Sequence, residues 1–176
     1  MDRANPEKAV GSGRLSPATL RWCRATAIAA AVIFAYFAAT NHVDLTPWNN
    51  LADAGSQWPS TLMGAIPAGL LVVAFGLWQI RVLVIFAWGY AWVWLGLQIY
   101  QWWPAYLTGA NASWYTDGGY DETLRWFPRI GSNPVVIDAQ HTVLQTGSLL
   151  VAVLATVATV KIVQDSRAPT PERARA

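Results

Sequence analysis

The side chains best suited to chemistry in this sequence are two histidines, each with an aspartate close by. His42 precedes Asp44 by two residues, and Asp138 precedes His141 by three. Imidazole nitrogens and carboxylate oxygens are ligands that zinc and other divalent transition metals use in proteins. If the two segments fold next to each other, the four residues predict a metal site. A metal-dependent membrane enzyme is therefore one hypothesis for the function.

A simpler structural role explains the same residues, and it is the interpretation that we favour. Asp138 stands directly before an apolar run, which is the usual position of a helix N-cap. A carboxylate there accepts hydrogen bonds from the amides of the first turn and suits the helix dipole. His141 is then an aromatic residue at the membrane interface, and His42 is an ordinary residue at a helix end.

Polar residues continue from Asp138 into the apolar run. Asp138, His141, Gln145 and Ser148 are spaced by three, four and three residues, which places them on one face of a helix. Gln98 lies at a similar depth in another apolar run. Polar side chains on a membrane helix usually face the bundle interior or a water-filled cavity. Gln98, Gln145 and Ser148 are therefore predicted to form a polar stripe inside the protein.

The elements that carry these residues are long apolar segments. Of the 176 residues, 54% are hydrophobic and 12% are charged, and the charged fraction is about half that of a typical soluble domain. A helix of about 20 residues crosses a bilayer. The predicted fold class is an all-α integral membrane protein with four transmembrane helices, at about residues 22–40, 61–79, 82–103 and 141–163.

The second and third segments are almost continuous. Between Thr61 and Trp103 the only charged residue is Arg81. A single helix of this length would measure roughly 65 Å, about twice the thickness of the hydrocarbon core. The chain is therefore predicted to turn near Ile80–Arg81 and to form a tight helical hairpin.

Small residues predict how the helices pack, because they let membrane helices approach closely. The first segment carries alanine at every fourth position, at residues 27, 31, 35 and 39. The fourth segment carries Ala152, Ala155 and Ala158, with Gly147 and Ser148 before them. Both faces are predicted to be packing surfaces.

Basic residues predict the orientation. Of the 12 Lys and Arg residues, only Arg125 and Arg129 lie on the side opposite the termini, so the positive-inside rule predicts that both termini are cytoplasmic. The polar ends, residues 1–21 and 164–176, are predicted to be disordered. The outer loop between the third and fourth helices is long and aromatic, and residues 121–127 within it are predicted to form one or two helical turns.

Several function classes are excluded or unsupported. Cys23 is the single cysteine, so neither an internal disulfide nor a thiolate metal cage can form within one chain. A phosphate-binding glycine loop and a nucleophile elbow are absent, and nothing indicates nucleic-acid binding. The 11 tryptophans are typical of aromatic belts at membrane interfaces.

The favoured function is a non-enzymatic accessory, scaffold or lipid-contacting subunit of a bacterial inner membrane. Its expected partners are the lipid bilayer and either another membrane protein or a second copy of the chain. The alternatives are the metal-dependent enzyme and a transporter or channel component that uses the polar stripe.

Overall fold

The fold of the protein is helical. The computed structural model describes residues 15–51, 55–110, 112–117 and 120–167. Helices account for 76% of the structure, and the described residues contain no strand. Four helices are long and apolar enough to cross a membrane. The prediction of an all-helical fold with four such helices is confirmed.

The helices extend past the apolar segments predicted from the sequence. The long ones are α1 (Pro17–His42), α2 (Trp58–Leu71), α3 (Arg81–Thr108) and α5 (Ala139–Arg167). A π-helical segment, Val72–Trp78, continues α2, and the shorter elements are α4 (Ser113–Asp117) and a 3-10 turn, Tyr120–Glu122. Hydropathy marks only the uncharged part of a helix, whereas the backbone hydrogen bonds continue to the capping residues.

The polar ends of the chain are partly helical. Residues 17–21, which the sequence analysis assigns to a disordered N-terminus, form the first turns of α1. Residues 164–167, assigned to a disordered tail, complete α5. Residues 1–14 and 168–176 of the predicted disordered ends lie outside the described residues.

Local sequence explains where three of these helices begin or end. At α1, the Ser16 hydroxyl accepts a hydrogen bond from the backbone N–H three residues later, at 3.2 Å. Asp138 acts in the same way at α5, where its Oδ1 accepts from the His141 backbone N–H at 2.7 Å. The predicted N-cap role of Asp138 is therefore confirmed. Gly109 ends α3 with a left-handed φ of 73°.

The turn between the second and third spans consists of two residues. The π-helical segment ends at Trp78, α3 begins at Arg81, and only Gln79 and Ile80 lie between them. Gln79 adopts a left-handed φ of 45°, and its side-chain amide donates to the Phe75 carbonyl at 3.0 Å. The turn therefore lies within one residue of the predicted position.

The four long helices form a ring in cross-section. α1 packs against α2 and α5, and α3 packs against α2 and α5. The Ser16 N–H donates to Asp165 Oδ2 at 2.7 Å, so the beginning of α1 and the end of α5 lie at the same end of the bundle. We call this the terminal end. The opposite end, which carries the described residues 43–51, 55–57, 109–110, 112–117 and 120–138, is called the loop end.

The terminal half of the bundle is tightly packed with small side chains. Ala152, Ala155 and Ala158 of α5 are buried, which confirms the packing surface predicted for the fourth segment. Their partners in the same core include Cys23, Ala30, Ala74, Phe75, Val84 and Ala87.

The packing surface predicted for the first segment is mostly wrong. Ala27 is buried, but Ala31, Ala35 and Ala39 are exposed. Four residues advance an ideal helix by about 40° beyond a full turn, so a strict four-residue repeat drifts off the interface within three steps. The buried face of α1 instead passes through Cys23, Ala27 and Ala30.

An aromatic cap centred on Trp102 covers the loop end. The ring centroid of Trp102 lies 5.0 Å from that of Trp114, 5.2 Å from Tyr120 and 6.1 Å from Tyr115, and all three pairs are edge-on. Val135 and Ile137 are fully buried against the same cluster.

The helix predicted over residues 121–127 is wrong after its first two residues. Beyond Glu122 the chain turns, and the backbone of Arg125 forms an isolated antiparallel bridge with Asp138. The Leu124 carbonyl accepts from the Ala139 N–H at 2.8 Å. These contacts position the segment against the beginning of α5.

Candidate ligand-binding cavity

A cavity of about 390 Å³ lies inside the ring at the loop end. All four long helices line it, and so does Tyr120 of the aromatic cap. Along α5 the lining runs from Gln140 to Val151, which corresponds to about 16 Å of helix. The volume lies within the range of roughly 300–1,000 Å³ that is usual for small-molecule sites.

The packed core forms the floor of this cavity. Ala30, Leu71, Ala91 and Val151 line the cavity and also belong to the buried core of the terminal half. The cavity therefore extends about halfway along the helices and stops where the small residues of the core meet.

The cavity reaches the surface beside α2 and α3. Met63 of α2 and Leu97 of α3 both line it, yet they are 61% and 56% exposed. Side chains that are more than half exposed lie at the edge of a cavity rather than at its back. An apolar side opening therefore faces the region that lipid would occupy.

The lining combines uncharged polar groups with apolar walls. Aspartate, glutamate, lysine and arginine are absent from it among the described residues. The apolar wall includes Phe34, Phe37, Trp94 and Leu144. The polar groups are amides and hydroxyls, together with one imidazole and one phenol: Asn41, Gln57, Ser60, Gln98, Gln101, Tyr120, Gln140, His141, Gln145 and Ser148.

Asp138 and His141 form a hydrogen-bonded pair at the top of the cavity. His141 Nδ1 lies 2.9 Å from Oδ1 and 3.0 Å from Oδ2 of Asp138. Asp138 is fully buried, and its Oδ2 also accepts from the Thr123 hydroxyl at 3.2 Å. Because the carboxylate occupies Nδ1, the ring is held in one orientation and Nε2 is the nitrogen left for other contacts.

Aromatic rings fix the His141 side chain from two sides. Its centroid lies 4.0 Å from the Trp102 ring, with the planes tilted by 35°. The Tyr120 ring lies edge-on at 5.2 Å. Burial raises the pKa of the Tyr120 phenol, and the nearby Asp138 carboxylate raises it further. Tyr120 is therefore a neutral phenol at neutral pH.

The predicted polar stripe lies deeper in the cavity. Gln98 Nε2 donates to the Ser148 hydroxyl at 3.0 Å, which joins α3 to α5. Gln145 Oε1 accepts from the Trp103 indole N–H at 2.9 Å. Its other atom, Nε2, is buried and has no hydrogen-bond partner in the described part of the chain.

The four residues of the predicted metal site make different contacts in the structure. His42 Nε2 is 3.0 Å from the Thr61 hydroxyl, and its ring lies 4.4 Å from Trp58. Asp44 is exposed and accepts two hydrogen bonds from Thr46, at 3.1 and 2.7 Å. Within the ranges that the structure describes, no group of three or more His, Cys, Asp and Glu side chains is placed to hold a metal ion.

The four side chains form no common site because each of them makes a local contact. His42 joins the end of α1 to the beginning of α2, and Asp44 closes its own turn. Asp138 and His141 contact each other at the beginning of α5. Proximity of two helix ends therefore does not bring the four side chains to one point.

Several contacts near the loop end of the bundle were not predicted from the sequence. The Trp48 indole donates to the Tyr36 hydroxyl at 2.9 Å, and that hydroxyl donates to the Gln140 carbonyl at 3.2 Å. Asn49, only 2% exposed, donates to the Thr40 and Val43 carbonyls at 2.6 and 2.9 Å. Trp48 and Asn49 lie in a loop, where no periodic pattern of residues indicates such contacts.

Comparisons with protein-family models, with curated proteins and with solved structures find no match to this chain. The function therefore has to be argued from the cavity.

Proposed function

We propose that the protein is an integral membrane protein that binds an uncharged amphipathic molecule in the loop-end cavity. It then acts as a lipid-contacting module, not as an enzyme. The observation that carries this proposal is the lining, which has apolar walls, many amides and hydroxyls, and none of the four charged residue types among the described residues. An uncharged molecule avoids the cost of placing an unpaired charge in an apolar interior.

The side opening supports the same proposal. Met63 and Leu97 lie at the edge of the cavity and are more than half exposed. With the helices in a bilayer, an apolar chain passes between these side chains without meeting water. The bilayer is then the source of the ligand.

The proposed setting is the inner membrane of a bacterium, with the terminal end in the cytoplasm. Of the 12 Lys and Arg residues, only Arg125 and Arg129 belong to the sequence between the third and fourth spans, and this distribution supports the orientation. We also propose a partner, either another membrane protein or a second copy of the chain, that contacts the exposed apolar faces of the helices.

The two alternatives have less support. A metal-dependent enzyme needs His42 and Asp44 beside Asp138 and His141, and the two pairs make separate contacts. A transporter or channel needs a path past Leu71 and Val151, and both residues belong to the packed core.

The proposal is tested by identifying what the purified protein carries. The full chain is purified from membranes in a mild detergent, and bound molecules are detected by native mass spectrometry and then identified after solvent extraction. Ser148→Leu fills the cavity, because Ser148 is buried and lines it. Thr146→Leu is the matched control, since Thr146 is an exposed residue of α5 that does not line this cavity.

Wild type and Thr146→Leu should carry the same uncharged amphipathic molecule, and Ser148→Leu should lose most of it while unfolding at a similar temperature. Equal amounts of the molecule in all three proteins would place it outside the cavity. No bound molecule in any of them would contradict the proposed function.

A further inference from the structure

Gln145 presents an unused hydrogen-bond donor at the cavity. The Trp103 indole can only donate, so its bond to Gln145 fixes Oε1 on that side and leaves the NH₂ end of the amide opposite. Gln145 is 9% exposed and lines the cavity. Its Nε2 has no partner among the residues that the structure describes. A buried amide of this kind requires an acceptor oxygen.

His141 presents a second contact one helical turn away. Its Nδ1 is held by Asp138, and Nε2 has no hydrogen-bond partner within the described ranges. The side chain lines the cavity and is 14% exposed. Residues four apart on a helix have Cβ atoms about 6 Å apart, so one small head group can contact both side chains.

The other residues that line the cavity restrict the charge and polarity of the rest of the ligand. The described lining contains no lysine or arginine to neutralise a phosphate or carboxylate. Phe34, Phe37 and Leu144 supply apolar surface beside the polar groups, and Met63 and Leu97 lie at the opening. A head group held at α5 can therefore extend an apolar chain towards α2 and α3.

We infer that the cavity takes a neutral lipid with two oxygen atoms in its head group. One is an oxygen that accepts a hydrogen bond from Gln145 Nε2. The other belongs to a hydroxyl that donates to His141 Nε2, because the ring proton on Nδ1 faces the Asp138 carboxylate. The apolar chain leaves past Met63 and Leu97. This inference rests on the proposed function and adds the chemical class of the ligand. Both a quinol and a neutral diacylglycerol have this chemistry.

The test measures binding of three probes to the full chain in lipid nanodiscs by isothermal titration calorimetry. The probes are a benzoquinol with one short isoprenoid chain that is kept reduced, dioctanoylglycerol, and the same glyceride with a phosphate head. Gln145→Met and Gln145→Leu each remove the donor. Gln164→Met is the matched control, because Gln164 is an exposed residue near the other end of α5.

At least one neutral probe should bind, and the phosphate probe should bind at least about tenfold more weakly. Both Gln145 variants should weaken the neutral probe by about tenfold, the usual cost of leaving one such hydrogen bond unmade, and Gln164→Met should have no effect. Preferential binding of one neutral probe identifies the source as quinol or glyceride, and equal binding supports the shared chemistry.

If Ser148→Leu blocks binding of the neutral probe but both Gln145 variants bind it as wild type does, this inference is overturned and the proposed function stands. Water alone would then satisfy Gln145. Equal binding of the phosphate probe would also overturn it. If no probe binds and the purified protein carries no amphipathic molecule, the proposed function fails as well.

Discussion

Asp138 combines two roles that are usually separate. Its carboxylate caps the first turn of α5 and also holds the imidazole of His141. The Thr123 hydroxyl adds a third contact. Because the carboxylate is fully buried, water does not compete for these three contacts. The same side chain therefore fixes both the beginning of α5 and the orientation of His141.

Replacement of Asp138 should therefore be costly in comparison with replacement of an exposed aspartate in a turn. Asp138→Ala should lower the free energy of unfolding by about 2–3 kcal/mol, because it removes a buried cap and leaves buried donors unpaired. Asp44→Ala should cost less than about 1 kcal/mol, since Asp44 is exposed and bonds only to Thr46. Denaturant unfolding of the detergent-solubilised protein measures both, and equal losses would contradict the central role of Asp138.

The tyrosines of the cap predict a loss of stability at alkaline pH. Burial raises the pKa of Tyr120 above its ordinary value of 10.0. The unfolded chain therefore ionises first, near pH 10, while the folded protein keeps the neutral phenol. The stabilisation is fully present below that pH and is lost as the pH rises through the folded pKa.

The measurement is the thermal unfolding temperature between pH 8 and pH 11. Wild type should lose stability above about pH 10, and Tyr120→Phe should lose less. Tyr100→Phe is the control because Tyr100 is 76% exposed, and its profile should match wild type. Identical profiles for Tyr120→Phe and wild type would show that Tyr120 does not cause the alkaline loss.

Close approach of α1 and α5 depends on a single glycine. A Cβ atom at Gly147 would overlap the side chain of Ile33, whereas a Cβ at Gly96 of α3 would meet nothing within 4 Å. Gly147→Ala should therefore destabilise the protein by about 1–3 kcal/mol, the usual cost of overpacking. Gly96→Ala should be neutral or stabilising by up to about 1 kcal/mol, because alanine is the better helix former.

The double variant Gly147→Ala/Ile33→Ala tests whether steric overlap with Ile33 causes the loss of stability in Gly147→Ala. Ile33→Ala is expected to lower stability by itself, so the effect of Gly147→Ala is compared in the two backgrounds. Gly147→Ala should cost less stability in the Ile33→Ala protein than in wild type, as measured by thermal unfolding. An equal cost in both backgrounds would mean that the glycine has another role.

The elements show how far the sequence could determine the fold. Length and hydropathy predicted four spans, and the single charge at Arg81 located the turn between α2 and α3. The conformation of the long loop between α3 and α5 could not be predicted in the same way. Residues 121–127 resemble a short helix locally, but Leu124 and Arg125 pair with the chain near Asp138, and such pairing depends on where α5 begins.

The polar stripe was predicted more fully than the cavity that it lines. The three- and four-residue spacing predicted that His141, Gln145 and Ser148 share a face, because a helix has a fixed period. Gln98 of α3 was predicted to join them because it lies at a similar depth, whereas the bond from Trp103 of α3 to Gln145 was not predicted. The cavity itself is space left between helices, and no residue pattern encodes it.

For the whole molecule, the proposed orientation predicts which end of the bundle is accessible to reagents added outside the cell. Leu45 at the loop end is 45% exposed, and Ser166 at the terminal end is also exposed. In a Cys23→Ala background, Leu45→Cys should react with a membrane-impermeant maleimide in intact cells. Ser166→Cys should react only after the membrane is permeabilised.

Two controls accompany this experiment. The Cys23→Ala protein without added cysteines should remain unlabelled, and wild type should label poorly because Cys23 is buried. Labelling of Ser166→Cys in intact cells, with Leu45→Cys protected, would reverse the orientation.

The two-residue link between the α2 segment and α3 also constrains how the protein is made. Gln79 and Ile80 span at most about 7 Å, whereas the hydrocarbon core is roughly 30 Å thick. In a bilayer, the ends that they join must therefore lie at the same membrane face. We expect the two helices to insert as one hairpin, so a change that prevents one of them from inserting should leave the other outside the membrane with it.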